Sequence, residues 1–504
     1  MSLVLVILVL LLGGAGAILA EGWHPRFPRR VALATVVLAS LVLAVGLWDA
    51  EPAVQAGSGD MAVYAFVQVP WIERFGIQLL FGIDGLGLLM VALTLLLGLV
   101  AVAAAWDEIE ERTGFFAANL LWTLAGVVGV FSALDLFLFF LFWEVMLVPM
   151  YFLIAVWGHE ARAFAAMKFF LFTQVSGLVM LLAILALVFV HARQTGVITF
   201  DYFALLGTTF DADTGRWIAL GFLLAFLTKL PSVPVHSWLP DAHTQAPTAG
   251  SVILAGILLK TGAYGLLRFV LPLFPDAALD LRMPMMTLGA VSVLYGGVLA
   301  FAQTDFKRLV AYSSIAHMGF VLLGVFAWNA LALQGAVMTM VAHGLSSAAL
   351  FMIAGMLQHR LHTRELARMG GLWQRAPRLG AIALFFVVAS LGMPGLANFV
   401  GEFLVLIGAF GVDVPLTVAA AVGMVVAAIY GLSLMQRAFQ GRVADSSAAM
   451  ADLAPRELVT LAVMLVGLVW LGLEPQRVLD VSAPMVAALM DALPAAPLLL
   501  GGAP

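Results

Sequence analysis

The chain has 504 residues, of which 63% are hydrophobic and only 11% are charged. About a quarter of a typical soluble chain is charged, so a soluble protein of this length cannot hide so many apolar side chains. Apolar runs of about 20 residues recur, which is the length of a membrane-spanning helix and not of the short alternating strands of a β-barrel. The composition therefore predicts an all-α integral membrane protein.

The sequence contains no cysteine. This excludes disulfides and cysteine-held iron–sulfur clusters, so any redox chemistry has to belong to partner chains. The run GIDGLG from Gly82 lacks the third glycine of a dinucleotide-binding turn, and we interpret it as helix packing within an apolar span. The first residues, MSLVLVILVL, contain no basic segment, which favours a retained first span over a cleaved signal peptide.

The apolar runs predict about fourteen membrane spans, in groups of three, five, five and one. Their ranges are 3–20, 31–48 and 81–106; then 115–131, 135–156, 167–190, a broken segment around Trp217 and 251–271; then 285–301, 309–326, 333–357, a broken 381–410 and 416–438; and last 458–473. The residues after Glu474 are expected to form a surface helix.

This grouping divides the chain into an N-terminal three-helix segment (1–112), two five-helix units (113–272 and 284–440), and a C-terminal helix with a surface tail (455–504). An odd number of spans per unit makes the second unit an inverted repeat of the first, a design that recurs in transporters. Each unit contains one span broken by proline. Glu144 and His317 are 173 residues apart, as are Lys229 and Glu402, which supports the repeat.

Basic residues are concentrated in the loops on one predicted side of the bundle. These are Arg26, Arg29, Arg30, Arg112, Arg162, Lys307, Arg308, Arg360, Arg364, Arg368, Arg375, Arg378, Arg437 and Arg442. The positive-inside rule places these loops in the cytoplasm and both termini in the periplasm. We interpret Asp107, Glu108, Glu110 and Glu111 as a solvated loop, and Arg364, Glu365 and Arg368 as a surface or partner contact.

Lysine is rare, with four lysines against twenty arginines. Lys168, Lys229 and Lys260 lie in or at the edge of apolar spans. Arginine effectively never releases its proton, whereas burial can lower the pKa of a lysine by several units. The use of lysine in the interior therefore favours a proton relay over a structural ion pair.

Two of the candidate relay residues stand beside a proline or in a strongly apolar run. Glu144 lies in the apolar run FLFFLFWEVMLVPMYFLI, and a charge at the bilayer centre costs roughly 3 kcal/mol. Because of this cost, we expect Glu144 to be either a structural partner for a buried cation or a protonatable entry residue. Lys229 ends a half-helix before Pro231. We expect unpaired carbonyls and the helix dipole to stabilise a cation there, and the alternative is a lysine that reaches to the membrane interface.

Histidines supply the remaining polar groups. His236 and His243 are seven residues apart in HSWLPDAH, without cysteine and with few acidic neighbours, which disfavours a metal site. His236 is favoured as a relay or gating hydrogen-bond group, and His243 as a surface loop residue. His317 and His343 lie inside spans and each alone could be a packing histidine. Together with the buried glutamates and lysines they form a series that favours a proton relay. Asp135 is expected to cap the fifth span.

Several segments together resemble the antiporter-like, proton-pumping subunits of bacterial respiratory complex I (NADH:quinone oxidoreductase). They are WEVMLVPMYFLI, LPSVPVHSWLPDAHTQAPTAGSVILAGILLKTGAYGLLR, QTDFKRLVAYSSIAHMGF, AHGLSSAALF and ANFVGEF, within roughly 115–440. TQAPTAGSVILAGILLK, and a glutamate after the second break, resemble the M type more than the L and N types. The resemblance implies fourteen helices, with two inverted five-helix repeats and interrupted seventh and twelfth helices.

The resemblance also implies roles for titratable residues inside the spans: Glu144, Lys229, Lys260, His317, His343 and Glu402, with His236 and Lys168 as secondary candidates. Glu144 and Lys229 resemble the coupled pair of the family, and Lys260 the central relay. The two later histidines resemble connecting groups, and Glu402 the group that exchanges protons with the outer side.

The resemblance implies an enzymatic role as a non-redox, proton-pumping translocase subunit in the bacterial inner membrane. No cofactor is expected in this chain, while flavin and iron–sulfur clusters are expected in partner subunits and quinone elsewhere in the complex. The expected partners are the L-type and N-type subunits and membrane lipids, and not nucleic acid. One alternative is a subunit of a multi-chain cation/proton antiporter or membrane-bound hydrogenase. Another is a stand-alone solute transporter or an inert spacer.

Overall fold

The computed structural model describes residues 1–48, 53–54, 62–447 and 450–492. The helices in this part of the chain are α1 (Ser2–Glu21), α2 (Phe27–Trp48), α3 (Gly85–Ala104), α4 (Thr113–Ser132), α5 (Leu136–Trp157), α6 (Arg162–Thr195), α7 (Tyr202–Leu205), α8 (Ala212–Lys229), α9 (Trp238–Gln245), α10 (Thr248–Leu273), α11 (Pro275–Asp280), α12 (Arg282–Phe301), α13 (Phe306–Phe326), α14 (Ala330–Leu361), α15 (Leu372–Arg375), α16 (Pro377–Ser390), α17 (Ala397–Phe410), α18 (Val414–Phe439), α19 (Pro455–Leu473) and α20 (Gln476–Ala492). Within α10, Leu254–Leu258 and Leu266–Val270 are π-helical turns. Of the described helices, twelve are long and apolar enough to cross a membrane.

Two further crossings are interrupted helices. The first is α8, which ends at Lys229, followed after an irregular turn by α9. The second is α16, which ends at Ser390, followed by α17. Gly392 and Gly395 in the second break have φ angles of +76° and +90°, which glycine adopts without a Cβ penalty. Together with the unbroken helices these make the fourteen predicted spans. The all-α membrane fold is confirmed, and in each five-helix group the fourth span is the broken one.

A small antiparallel sheet precedes α3. Its strands are β1 (Ala53–Val54), β2 (Ala62–Ile72) and β3 (Ile77–Ile83), in the order β1-β2-β3. The predicted span beginning at residue 81 was therefore too long. The interpretation of GIDGLG as packing within a helix was wrong for Gly82, which lies in β3, while Gly85 and Gly87 lie in α3. The helix begins after Asp84, whose carboxylate accepts a hydrogen bond from the Gly87 N–H at 2.9 Å. An aspartate in this capping position defines the first turn of a helix.

Asp84 has a second bond that ties α3 to α10. Its Oδ2 lies 2.5 Å from a guanidinium nitrogen of Arg268, and both side chains are only 3% exposed. Removing one partner of such a buried pair costs about 3–5 kcal/mol. Neither residue was predicted to have a role. The ion pair fixes the end of α10 that lies away from the arginine-rich loops.

The C-terminal helix α20 packs on α3 and α14. Its buried face consists of Val478, Ser482, Met485, Val486 and Leu489. A surface helix after Glu474 is therefore confirmed, with one face covered. The predicted tail beyond it, 493–504, lies outside the described residues.

Glycines allow the three central helices α8, α10 and α14 to pack closely. A Cβ added at Gly262 of α10 would lie 2.5 Å from the Phe226 carbonyl oxygen and 2.8 Å from the Leu230 nitrogen, at the end of α8. A Cβ added at Gly344 of α14 would lie 3.1 Å from the carbonyl oxygen of Gly256 in α10. These contacts bring together the three helices that carry the candidate lysines and one of the candidate histidines.

Candidate functional site

The interior of the bundle contains a group of buried titratable side chains on five different helices. Their exposed fractions are 1% for Lys229, 0% for Lys260, 3% for His317, 1% for His343 and 2% for Glu402. Ionisable groups placed inside a membrane are costly and mark proton or ion pathways more often than packing. The structure therefore buries five of the predicted residues inside the bundle.

Lys260 and His343 are directly bonded, since Lys260 Nζ lies 2.7 Å from His343 Nδ1. Lys260 Nζ also donates to the Ala255 carbonyl oxygen at 2.5 Å. Ala255 belongs to the first π-helical turn of α10, and such turns interrupt the regular ladder of helical hydrogen bonds and occur often at functional sites. An ammonium can only donate hydrogen bonds. A charged Lys260 therefore requires an unprotonated His343 Nδ1 that accepts one. The contact is a bond along which one proton can move.

His317 and Glu402 form the next bonded pair. His317 Nδ1 lies 2.7 Å from Glu402 Oε1, and the Tyr430 hydroxyl lies 3.5 Å from His317 Nε2. The rings of His317 and His343 have centres 5.5 Å apart. Lys260, His343, His317 and Glu402 therefore follow one another in space from α10 across α14 and α13 to α17, with the two histidines in the reverse of their order along the chain.

Lys229 stands apart from this line, among aromatic rings. Its Nζ lies 5.0 Å from the ring centre of Trp143 on α5 and 5.6 Å from that of Phe169 on α6. Among the described residues it has no hydrogen-bond partner. Aromatic faces attract a cation within about 6 Å, most strongly where water is excluded. The aromatic rings thus hold the ammonium by cation–π attraction, without hydrogen bonds from its N–H groups.

The prediction that unpaired carbonyls stabilise Lys229 was wrong. The Thr228 carbonyl oxygen accepts a hydrogen bond from the indole N–H of Trp238 at 2.9 Å. The Leu227 carbonyl oxygen accepts one from the Ser232 N–H at 3.0 Å. The break at the end of α8 thus satisfies its own carbonyls through the turn and α9, and leaves the lysine to the aromatic rings.

Glu144 is half-buried on α5 and packs against a glycine of α6. A Cβ added at Gly177 would lie 2.9 Å from Glu144 Oε1, and the Gln174 side chain is hydrogen-bonded to the carboxylate. Glu144 interacts electrostatically with Lys229. In the described part of the chain no hydrogen bond joins Glu144 Oε1 to Lys229 Nζ. The predicted coupled pair is thus seen with its members separated.

The two secondary candidates lie outside the bonded line. Lys168 Nζ is 2.7 Å from Asp241, whose other oxygen is 3.1 Å from Arg308, and all three side chains are partly exposed. His236 is 8% exposed and its ring centre is 5.2 Å from that of Tyr295. Neither residue contacts Lys260, so we place both at the edge of the site.

Two predictions for the arginine-rich side of the bundle were wrong. This side is the end with the loops at 22–26, 105–112, 158–161, 302–305 and 362–371. His243 was expected in a surface loop, but it is 0% exposed and stacks on Phe351 of α14, with ring centres 4.2 Å apart and an interplanar angle of 9°. Lys307 was counted as a loop charge, but it is 0% exposed in the first turn of α13.

Two further residues on this side are less exposed to solvent than expected. Glu108 was interpreted as part of a solvated loop, yet its carboxylate accepts hydrogen bonds from the Thr248 N–H at 3.0 and 3.2 Å, at the start of α10. Arg364 was interpreted as a surface or partner contact, yet it pairs with Asp305 at 3.1 Å and donates to the Thr244 carbonyl. Both side chains hold the polypeptide around the junction of α9 and α10.

A cavity of about 280 Å³ opens on the arginine-rich side between α3, α14 and α19. The polar side chains that line it are Asp107, Glu108, Thr248, His359, Arg360, Arg456 and Glu457. Ion pairs between Arg456 and Asp107, and between Arg360 and Glu457 at 2.6 Å, form part of its wall. The hydrogen bond and the charge of Arg456 lower the pKa of Asp107 below its usual range. The cavity is polar and carries charges of both signs.

Comparison with known proteins supplies the family context. The sequence profile of the family described as "NADH:quinone oxidoreductase/Mrp antiporter, TM" matches residues 133–428. The chain is similar to NADH-quinone oxidoreductase subunit M of Pseudomonas aeruginosa, with 53% identity over 98% of this chain and 99% of that protein.

Two solved structures share the fold. A chain of respiratory complex I from Thermus thermophilus matches with a TM-score of 0.87 and 31% identity, over 98% of this chain and all of that chain. A chain of the Mrp complex from Dietzia sp. DQ12-45-1b matches with a TM-score of 0.82 and 21% identity, over 97% of each chain. At that identity the second similarity shows a common fold alone.

Proposed function

This chain belongs to the family of NADH-quinone oxidoreductase subunit M, and from that premise we propose that it moves protons across the membrane without redox chemistry of its own. The chain is a multi-pass membrane subunit of an oxidoreductase complex. The observation that carries the proposal is the buried line from Lys260 through His343 and His317 to Glu402.

The chemistry of this line suits proton transfer. Each member has a proton that it can lose or gain, and none is an arginine, whose guanidinium keeps its proton. Proton transfer requires a donor and acceptor within hydrogen-bond reach or one water apart. The two bonded pairs, each at 2.7 Å, meet that requirement directly. The two histidine rings between them are close enough for a bridging water to complete the line.

Lys229 and Glu144 act in this proposal as the coupling element. When the carboxylate of Glu144 approaches Lys229, each charge stabilises the other; when the two separate, the buried ammonium is disfavoured and releases its proton towards Lys260. The close packing of α8 on α10 at Gly262 places the end of α8, which carries Lys229, beside the helix that carries Lys260. A change in the separation of Glu144 and Lys229 would thus control when Lys260 receives a proton.

The complex would supply the energy and the direction. We expect quinone reduction in partner subunits, which hold the flavin and iron–sulfur clusters, to drive the change at Glu144 through neighbouring membrane subunits of the L and N types. The arginine-rich side then faces the cytoplasm and both termini face the periplasm, as the positive-inside rule requires. Glu402 exchanges protons with the outer side.

The test uses inverted membrane vesicles that contain the whole complex. Lys229→Met and Glu144→Gln should each abolish most NADH-driven proton uptake and lower coupled NADH:quinone activity, because the coupling element has lost a charge. NADH oxidation by an artificial acceptor reports assembly, which should be unchanged. Glu474→Gln, at an exposed glutamate that pairs with Arg477, is the control and should pump normally. Full pumping by Lys229→Met or by Glu144→Gln would contradict the proposal.

A further inference from the structure

A second cavity, of about 570 Å³, opens on the arginine-rich side between the loop before α2 and the loop after α3. The charged and aromatic side chains that line it are Arg26, Arg29, Arg30, Trp106, Asp107 and Glu110. None of the proposed relay residues lies in this lining, so proton transfer does not explain why three arginines converge here. The positive-inside rule accounts for arginines in this loop, but not for their convergence on a cavity.

The charges in this cavity do not cancel. The carboxylate of Asp107 is already paired with Arg456. Among the described residues, no ion pair joins any of the three lining arginines to a carboxylate. Glu110 alone remains to oppose three guanidinium groups, so the cavity has a net positive charge. It is therefore suited to an anion.

Arg29 retains hydrogen-bond donors for such an anion. It lies in the first turn of α2, and one of its terminal nitrogens donates to the Ile109 carbonyl oxygen at 2.8 Å, which fixes the guanidinium against the loop after α3. Its Nε has no hydrogen-bond partner among the described residues, although buried polar groups nearly always have one. Guanidinium groups bind phosphate oxygens through paired N–H bonds, and the start of a helix adds a positive dipole.

An exposed apolar track leads away from the arginines along α2. Leu33, Val37 and Leu41 follow Arg30 at intervals of three and four residues, which places them on one face of the helix, and all three are exposed in this chain. Arg30 and Leu41 are about 16 Å apart along the helix axis. Half of the hydrocarbon core of a bilayer measures about 15 Å. The track therefore has the length of one acyl chain in one leaflet.

Two tryptophans place the cavity at the level of the lipid headgroups. Trp106 lines it, and Trp23, in the loop between α1 and α2, is strongly exposed. Tryptophan side chains are enriched at the boundary between hydrocarbon and water. A cationic cavity at this level, continued by an apolar track, fits an amphipathic ligand better than a soluble anion.

We propose that this cavity binds the phosphate of an anionic phospholipid from the leaflet on the arginine-rich side, with one acyl chain along α2. The proposal does not depend on the proton relay. The bound phosphate connects the loops at 22–26 and 105–112. The second of these loops carries Glu108, which accepts a hydrogen bond from the Thr248 N–H at the start of α10. The lipid thus stabilises the packing of the N-terminal helices on the central part of the bundle.

The test uses the whole purified complex, freed of lipid in detergent, and a photoactivatable phosphatidylglycerol as the probe. Labelling of peptides from 22–48 of this chain is measured against the probe concentration. In a variant that combines Arg26→Gln, Arg29→Gln and Arg30→Gln, the concentration for half-maximal labelling should rise about a hundredfold, because each basic side chain near an anionic lipid contributes about fivefold. Arg30→Gln alone should raise this concentration about fivefold, and it serves if the triple variant fails to assemble.

The matched control removes the same charge from another part of the same side. It combines Arg368→Gln, Arg375→Gln and Arg378→Gln, at three exposed arginines around α15. Labelling of 22–48 in this control should stay near the wild-type value. An equal loss of labelling in the control would show a general effect of surface charge and would overturn the site.

Competition identifies the source of the phosphate. Unlabelled phosphatidylglycerol should displace the probe, whereas inorganic phosphate and glycerophosphoglycerol, the headgroup without acyl chains, should not do so at the same concentration. Displacement by either soluble phosphate, or equal labelling by a phosphatidylcholine probe, would overturn the assignment of an anionic lipid. Unchanged labelling in both arginine variants would also overturn it. So would the absence of labelling at 22–48 in the wild-type complex, which is expected if an acidic segment of another subunit fills the cavity.

Discussion

Lys260→Met is expected to lower NADH-driven proton uptake by about 10²-fold, because positioned proton-transfer groups contribute roughly that much or more to a rate. Methionine has nearly the same volume but cannot bond to His343 or bind a proton. The line would then lose its first hydrogen-bonded pair, and a proton released by Lys229 would find no acceptor on α10. Uptake is measured in inverted vesicles by the quenching of a pH-sensitive dye after NADH is added.

Thr261→Val is the matched control for this variant. Thr261 is the next residue on α10 and is equally buried, and its hydroxyl donates to the Leu258 carbonyl oxygen at 2.7 Å. The valine variant should pump at close to the wild-type rate. Equal pumping by the Lys260→Met and Thr261→Val vesicles would show that the buried ammonium is dispensable.

Glu402→Gln is expected to have an effect of similar size at the other end of the line. Glutamine preserves the shape of the side chain and can still bond to His317, but it cannot take the proton that His317 Nδ1 presents at 2.7 Å. Protons would reach the second histidine and stop there. We expect proton uptake to fall by about 10²-fold, while Glu402→Asp, which keeps a titratable group on a shorter side chain, should retain a measurable part of it.

The control for Glu402 lies one turn earlier on α17. Asn398 donates to Ser346 Oγ at 3.0 Å and is also buried, but in the described part of the chain no hydrogen bond joins it to the two histidines. Asn398→Ala should leave proton uptake within about twofold of wild type. If Glu402→Gln took up protons as fast as Asn398→Ala, the carboxyl proton of Glu402 would have no part in transport.

The members of the relay could be predicted from the sequence because each is a strong local signal. A glutamate, lysine or histidine within an otherwise apolar run of about 20 residues is costly and therefore indicates a functional site. The series of such residues on successive spans indicated a proton relay more strongly than any single member. The structure adds what a linear pattern does not contain, namely the bonds Lys260–His343 and His317–Glu402, which join residues 83 and 85 positions apart.

His243 and Lys307 were misplaced because their burial depends on distant parts of the chain. The segment with His243 contains prolines and polar residues, which is typical of a surface loop. In the folded chain it forms the short helix α9, and Phe351, more than a hundred positions later, covers it. Lys307 lies two residues before the predicted span at 309–326, whereas the helix begins at Phe306. Because the helix start was predicted three residues too late, the buried ammonium of Lys307 was interpreted as a loop charge.

Long-range pairing also explains the other errors. Asp84 and Arg268 stand at the ends of separate apolar runs, and only the fold brings them within 2.5 Å. The carbonyls at the end of α8 were expected to be free because the chain stops being helical there. They are satisfied by Trp238 and Ser232 of the next segment. The alternating, β-branched run of β2 was a local signal that could have predicted a strand.

The central claim is that Lys260 works by giving up a proton and not merely by carrying a charge. Lys260→Arg tests it most directly, because the guanidinium keeps the positive charge and the hydrogen-bond donors but holds its proton throughout. The measurement is NADH-driven proton uptake by vesicles that contain the assembled Lys260→Arg complex, set against Lys260→Met. We expect the arginine variant to fail as completely as the methionine variant. Pumping near the wild-type rate in Lys260→Arg would contradict it.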